Sequence, residues 1–415
     1  MKITRRTTIA AAGALAIPRA VHAQSSTVPE VRRANLGYIA LTDSAPLIIA
    51  KERGLFAKHG MPDVEVSKQA SWGATRDNLV LGGGSGGIDG AHLLTPMAYL
   101  IHTGRIVQNN QPVPMALVAR LNTNGQAISV AGKHSALNVR LDASALRRAV
   151  NADSKVAMTF RGGTHDLWVR YWLAAGGIDP ERDVSTIVVP PPQMVANMRV
   201  GTMDAFCVGE PWNAQLVTQR LGTTATTTGE IWRDHPEKAL VLRADFVERH
   251  PRATEAMTAA VIEAAQWCDQ PGNKEEMCSI LGRRAYFNVP VADIIGRMRG
   301  EVDYGDGRRV TNLDTSMKFW RDHASYPFQS HDLWFLTENQ RWGILPADLA
   351  TGPLIQAVNR EGIWRAAAER AGVPASATPL GTSRGRETFF DGKVFDPENP
   401  QAWLQSQSIR RMGGA

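Results

Sequence analysis

Cysteine is scarce: Cys207, Cys268 and Cys278 are the only three in 415 residues, and they form neither a CxxC pair nor a metal-ligand spacing with histidine. They read as small packing residues; a Cys268–Cys278 disulfide is the alternative that an oxidising compartment would permit. Catalytic signatures are missing too. There is no HExxH, and no G-x-S-x-G or GxGxxG leads from a strand into a helix. The run Gly82-Gly83-Gly84-Ser85-Gly86-Gly87 lacks the Lys-Ser/Thr of a phosphate loop and reads as a turn before a strand. The ten histidines are scattered with no pair four residues apart, which leaves metal catalysis without support and gives no cofactor or metal to expect.

A strong charge imbalance is also lacking. The formal charge is +6, but Lys2, Arg5, Arg6 and Arg19 lie in the first 23 residues, which contain no acid, so the remainder holds 42 basic against 40 acidic residues. That balance excludes a typical nucleic-acid binder. After the N-terminus, no apolar run approaches the roughly 20 residues a membrane span requires. What is present is ordinary for a water-soluble chain: 43% hydrophobic and 21% charged residues. A length of 415 residues exceeds one usual core and suggests two lobes.

Residues 1–23 carry a basic start, an apolar run from Ile9 to Ile17 and small residues at Val21-His22-Ala23 before Gln24, the pattern of an export signal. Thr4-Arg5-Arg6 followed by Ile9 resembles a twin-arginine signal, with Thr8 where that pattern usually has an aromatic residue. A soluble periplasmic protein is the expectation.

The chain then opens as a βαβ unit. A strand spans Ala34 to Ile39, Asp43-Ser44-Ala45-Pro46 starts a helix that runs to Glu52, and a second strand covers Val64 to Val66, which together predict a parallel sheet. Ser71-Trp72 begins another helix and Ile88 to His92 reads as a short buried strand. The string Gly86-Gly87-Ile88-Asp89-Gly90-Ala91 has a counterpart in Gly201-Thr202-Met203-Asp204-Ala205-Phe206, as two lobes of similar design would leave. Gly162-Gly163-Thr164-His165 precedes a helix with apolar residues at helical spacing through Leu173. From Pro251 the pattern is mainly helical.

Polar residues at element ends, where loops of two lobes converge, are the candidate site. Trp72 lies in the first turn of a helix, Gln126 opens a strand, Thr164 and His165 open the aromatic helix, and Gly209 closes a strand before Glu210-Pro211-Trp212. Helix N-termini suit an anion. Spacing alone leaves each with a second reading: Trp72 as packing, Gln126 as a solvated strand end, His165 as a cap neighbour, Lys238 as a surface charge in His235-Pro236-Glu237-Lys238.

Longer strings narrow this. Gly37 to Asp43, Gln69 to Asn78, Gly162 to Trp168, Val188 to Trp212, His323 to Pro327 and Ser330 to Phe335 resemble the nitrate-binding proteins of bacterial nitrate ABC transporters and their bicarbonate-binding sisters, over nearly the whole chain after the signal. The resemblance implies an α/β, two-lobed periplasmic-binding-protein fold of type II, a C-clamp, with helical C-terminal additions. Residues 29–121 plus about 225–415 would form the first lobe and about 122–224 the second. It implies a ligand set of Trp72, Gln126, His165, Gly209 and Lys238, and an ABC permease and ATPase as partners. The family's bicarbonate binders carry an acidic residue at the position of Lys238 that helps hold calcium. Lys238 supplies positive charge itself, so nitrate, with nitrite beside it, is the implied ligand of a site made of donors only. A cytoplasmic nitrate sensor that holds a regulatory partner and a bicarbonate-binding homologue are the other readings. An enzyme of thiamine-precursor type on a related fold finds no nucleophile here.

Overall fold

The computed structural model describes residues 28–411. The export signal expected over 1–23 lies outside the described residues. Ten strands build two five-stranded sheets: β1 (Arg33–Tyr38), β2 (Asp63–Lys68), β3 (Gly90–Leu94), β4 (Met115–Arg120), β5 (Gln126–Ala131), β6 (Lys155–Met158), β7 (Ser185–Val188), β8 (Ala205–Gly209), β9 (Gly222–Thr227) and β10 (Lys238–Arg243). The first sheet has the order β2-β1-β3-β10-β4 and the second β7-β6-β8-β5-β9. In each, the first three strands are parallel and the fourth runs antiparallel to both neighbours. Strands β3, β4, β5 and β8 are buried along their whole length, which is why their sequences are continuous small and apolar runs rather than alternating ones.

The two lobes repeat each other down to single side chains. Asp89, just before β3, accepts the N–H of Asn35 on β1 at 2.8 Å. Asp204, just before β8, accepts the N–H of Lys155 on β6 at 2.8 Å. Each aspartate also sends its own N–H to the carbonyl of the same residue, at 2.8 Å in both cases. The recurring Gly-x-x-Asp is therefore a device that fixes the register of a central strand, and it displaces the third strand from the expected Ile88 start to Gly90. The glycine run before it folds as a tight turn over Gly83–Ser85.

The chain passes between lobes twice, through residues 121–125 and 228–237, and the two passages hydrogen-bond to each other. Leu121 donates to the Lys238 carbonyl at 2.8 Å, Glu237 to that of Asn122 at 3.2 Å and Asn124 to that of His235 at 3.0 Å. Gly125 has φ +83, and a Cβ there would collide with Met317. Each passage ends by feeding the fourth strand of a sheet, so Gln126 and Lys238 occupy matching places, the first residue of β5 and of β10.

The helix Thr164–Ala175 is buried through nearly all its length because it packs under the second sheet and against the C-terminal region. Trp168 stacks on Trp334 of the helix Gln329–Arg341 with centroids 5.0 Å apart and planes 17° apart, and Trp232, Phe389 and Trp403 complete the nest. The C-terminal segment thus covers the second core as well. All three cysteines are free and buried. Truncating Trp334 to alanine leaves a large cavity beneath Trp168, and we expect a loss of about 3–5 kcal/mol in denaturant unfolding.

Candidate functional site

Where the two passages enter their strands, a cluster of charged and polar side chains lies out of contact with solvent. Lys238 and Glu237, Asp43, His92, Gln126, His165 and Trp72 are each no more than 1% exposed. The Lys238 ammonium stands 2.9 Å from Asp43 Oδ2 and 2.8 Å from Glu237 Oε1. Its main-chain N–H is held by the Asn122 side chain at 3.1 Å, and its Nζ lies 5.9 Å from the Trp72 ring centre.

Gln126 is oriented by its neighbours. Its Nε2 donates to Asp43 Oδ2 at 3.0 Å, while its Oε1 accepts from His165 Nε2 at 2.8 Å and lies 3.4 Å from Lys238 Nζ. His165 therefore carries its proton on Nε2, and Nδ1 accepts from the Thr159 hydroxyl at 2.5 Å. His92 follows the same logic: Ile39 N–H points to Nδ1 at 3.5 Å and Nε2 donates to Asp43 Oδ1 at 2.6 Å. Trp72 lies against His92 with centroids 5.3 Å apart, and its indole N–H has no acceptor although the ring is fully buried. A buried donor without a partner is unfavourable by about 1–3 kcal/mol unless something else accepts from it.

Gly209 pairs with Gln126 across β8 and β5. A Cβ at Gly209 would come within 2.5 Å of Gln126 Oε1 and 3.3 Å of Asp43 Oδ2, so only glycine lets the strand end close on the cluster. Ser71 caps the helix Trp72–Leu81 by accepting the Ala74 N–H at 3.1 Å, which sets Trp72 in its first turn.

The structure thus brings together all five residues singled out from the sequence: Trp72 and Lys238 from the first lobe, Gln126, His165 and Gly209 from the second. The expectation of a site built of donors only is corrected by two carboxylates. Asp43, read from sequence as a helix-start residue, makes no cap and turns its carboxylate to Lys238, Gln126 and His92. Glu237 accepts from Thr164 Oγ1, from Trp168 Nε1 at 2.7 Å and from Lys238. Neither role leaves a sequence signal, because each depends on which way a side chain turns from a loop.

Burial raises the Asp43 carboxyl, but Lys238 and His92 outweigh it and hold the group below the ordinary carboxylate range. Burial raises Glu237, and Lys238, Thr164 and Trp168 offset only part of that. For Lys238 burial acts to lower the value, and the two carboxylates more than compensate, keeping it charged. Burial, then Lys238, hold His165 well below the usual histidine range. Among the described residues no group of three or more His, Cys, Asp and Glu is placed to hold a metal ion.

The lobes touch around this cluster. Thr42 N–H donates to the Glu210 carbonyl at 2.8 Å and Trp212 Nε1 to that of Ala40 at 3.3 Å. Two similar α/β lobes joined by two passages, with convergent donors buried at their junction, define a solute-binding clamp. The model of the NMT1-like family matches residues 27–282. The nitrate/nitrite binding protein NrtA of Synechocystis sp. is 58% identical over 390 residues, 93% of this chain and 87% of that protein. The bicarbonate-binding protein CmpA of Synechococcus elongatus is 44% identical over 397 residues, 92% and 88% of the two chains. The crystal structure of the periplasmic nitrate-binding protein NrtA from Synechocystis PCC 6803 superposes with a TM-score of 0.91 at 58% identity, over 92% of this chain and all of that one. The chain belongs to the NMT1-like family and is NrtA-like within it.

Replacing Lys238 by methionine leaves Asp43 and Glu237 buried without a cation. We expect Lys238→Met to destabilise the protein by about 3–5 kcal/mol in urea unfolding, and Lys238→Met with Asp43→Asn to recover part of that loss. An equal loss in the double variant would mean that the carboxylates do not depend on Lys238.

Proposed function

We propose that this chain is the periplasmic capture subunit of an ABC importer and that it takes nitrate, with nitrite as a second substrate, and passes it to a permease driven by an ATPase. The observation that carries the reading is the fully buried Lys238 ammonium at the lobe junction, in a chain 58% identical to a nitrate/nitrite binding protein. Nitrate is a planar monoanion that accepts hydrogen bonds and donates none. In this reading Lys238 supplies its counter-charge, Trp72 its unpartnered indole N–H and Gly209 a main-chain N–H, and the anion takes over the Gln126 and His165 donors that point to Asp43 and to Gln126 in its absence. A lysine at 238 repels the calcium ion that an acidic residue would attract, which favours nitrate over bicarbonate.

Binding drives closure because the anion meets residues of both lobes at once and so stabilises the arrangement in which Trp72 and Lys238 face Gln126 and His165. The permease then reads the closed form. A dissociation constant of about 1 μM corresponds to about −8 kcal/mol, within reach of one charge pair and several hydrogen bonds in a dry site.

Calorimetric titration of the processed, metal-stripped protein tests this. Nitrate should bind without metal in the micromolar range, nitrite more weakly, and Lys238→Glu should abolish both. Bicarbonate binding that requires calcium, with no heat from nitrate, would assign the chain to the bicarbonate binders instead.

Export through the twin-arginine route belongs to the same proposal and rests on Arg5 and Arg6. Replacing both with lysine should leave the uncleaved precursor in the cytoplasm; normal periplasmic accumulation of that variant would assign export to another route.

A further inference from the structure

Charge around Lys238 does not balance once an anion arrives. Asp43 at 2.9 Å and Glu237 at 2.8 Å already face this one ammonium. Every group is buried, so solvent does not screen a third negative charge. We propose that the anion is captured together with one proton, and that His165 receives it and becomes the second cation of the site. This rests on the reading of the cluster as a nitrate site. With the proton added, the buried charge is the same before and after capture.

Hydrogen bonds and position relative to Lys238 together select His165 among the candidates. Its Nε2–H already donates to Gln126 Oε1 at 2.8 Å, and Nδ1 faces the Thr159 hydroxyl at 2.5 Å. A hydroxyl rotates freely between donor and acceptor, so a second proton on Nδ1 finds Thr159 Oγ1 waiting without any heavy atom moving. His92 lacks that freedom, because its Nδ1 meets the fixed Ile39 N–H. His235 also has a hydroxyl beside it, Thr228 Oγ1 at 2.7 Å from Nε2, with Nδ1 on the Pro236 carbonyl at 3.0 Å, but it meets the Glu237 carboxylate at Oε2, 3.8 Å away, whereas Lys238 and His165 face Oε1. On Glu237 the Lys238 ammonium faces Oε1 and the Trp168 N–H faces Oε2, and on Asp43 His92 faces Oδ1 while Gln126 and Lys238 face Oδ2, donors that cannot turn into acceptors for a proton placed there.

The ionisable groups that face His165 are Lys238 and Glu237 at the start of β10, Asp43 from the loop after β1, His92 on β3 and His235 from the second passage. On its own helix, Asp166 is spent on Arg170 at 2.8 Å and on the Gly162 N–H at 2.8 Å. Burial first, then Lys238, keep the ring neutral without ligand. An adjacent anion raises its affinity for a proton, so the sign follows: proton uptake is largest at pH values above the free and below the bound titration point, and anion affinity falls as pH rises through that window. The importer would thus capture its anion as a neutral pair with a proton, more tightly on the acidic side.

The test is calorimetry with sodium nitrate on the full processed protein at about pH 8, in buffers of different ionisation enthalpy. About one proton should be taken up per nitrate bound between the free and the bound titration points of His165, where the dissociation constant should weaken about tenfold per pH unit, and both effects should fade above the bound point. Histidine ring resonances assigned with His165→Gln should show the His165 ring neutral without nitrate and protonated with it. His165→Gln itself should bind nitrate more weakly and without proton uptake. Nitrate binding with no buffer dependence and a constant affinity across pH overturns the proton proposal and leaves the nitrate reading standing. Absence of any nitrate binding overturns both. Uptake that persists in His165→Gln overturns the assignment to His165.

Discussion

One buried ammonium between two buried carboxylates organises the junction of the lobes. Lys238 is the first residue of β10, Asp43 belongs to the loop after β1, and Glu237 reaches through its carboxylate to Thr164 and Trp168 of the second lobe. Taking three charges out of water is unfavourable by several kcal/mol per ion unless each finds partners. Here each does, and the partners come from both lobes. The ion cluster is therefore also a contact between lobes, and anything that changes the charge at Lys238 changes how the lobes meet.

The fold places that cluster by repetition. Each sheet takes its fourth strand from a chain passage between lobes, so the first residues of β5 and β10 emerge side by side where the passages are hydrogen-bonded together. Gln126 and Lys238 are 3.4 Å apart for this reason. The remaining participants arrive at other element ends: Trp72 and His165 in the first turns of helices, Gly209 at the end of β8. Element ends converge because parallel strands all finish on one edge of a sheet.

Much of this was legible in the sequence, and what was not has a common cause. Helix starts at Ser71 and Thr164, the strands after the Gly-x-x-Asp strings and the repeat itself follow from local spacing, which sequence displays directly. The five candidate residues gather in one place, and it was the family resemblance, rather than periodicity, that singled out Lys238 from other lysines. Asp43 and Glu237 escaped because a carboxylate in a loop is usually solvated, and His92 because a histidine inside a short buried strand reads as part of the core. The strings His165-Asp166-Leu167-Trp168 and His331-Asp332-Leu333-Trp334 both lie in the first turns of helices, and their tryptophans stack.

That stack bears on the chemistry. Trp168 donates to Glu237 at 2.7 Å while its ring is held by Trp334, Trp232 and His235, all buried. A ring fixed on several faces cannot swing its N–H away, so the Glu237 carboxylate is fixed in turn and Lys238 with it. The two strings end in the same tryptophan but differ in what their histidines meet. His165 faces Gln126 and Thr159, whereas His331 lies against Trp232 and Phe328 with neither ring nitrogen hydrogen-bonded. The nearest carboxylate to His331, on Glu387, stands 3.7 Å from its Nε2. One histidine is thus placed where its protonation can be matched to an arriving charge, and the other where burial holds it neutral, with its pKa lowered to about 3. The aromatic nest gives rigidity to the ion cluster, and the cluster confines ionic chemistry to the edge of the nest that faces both lobes.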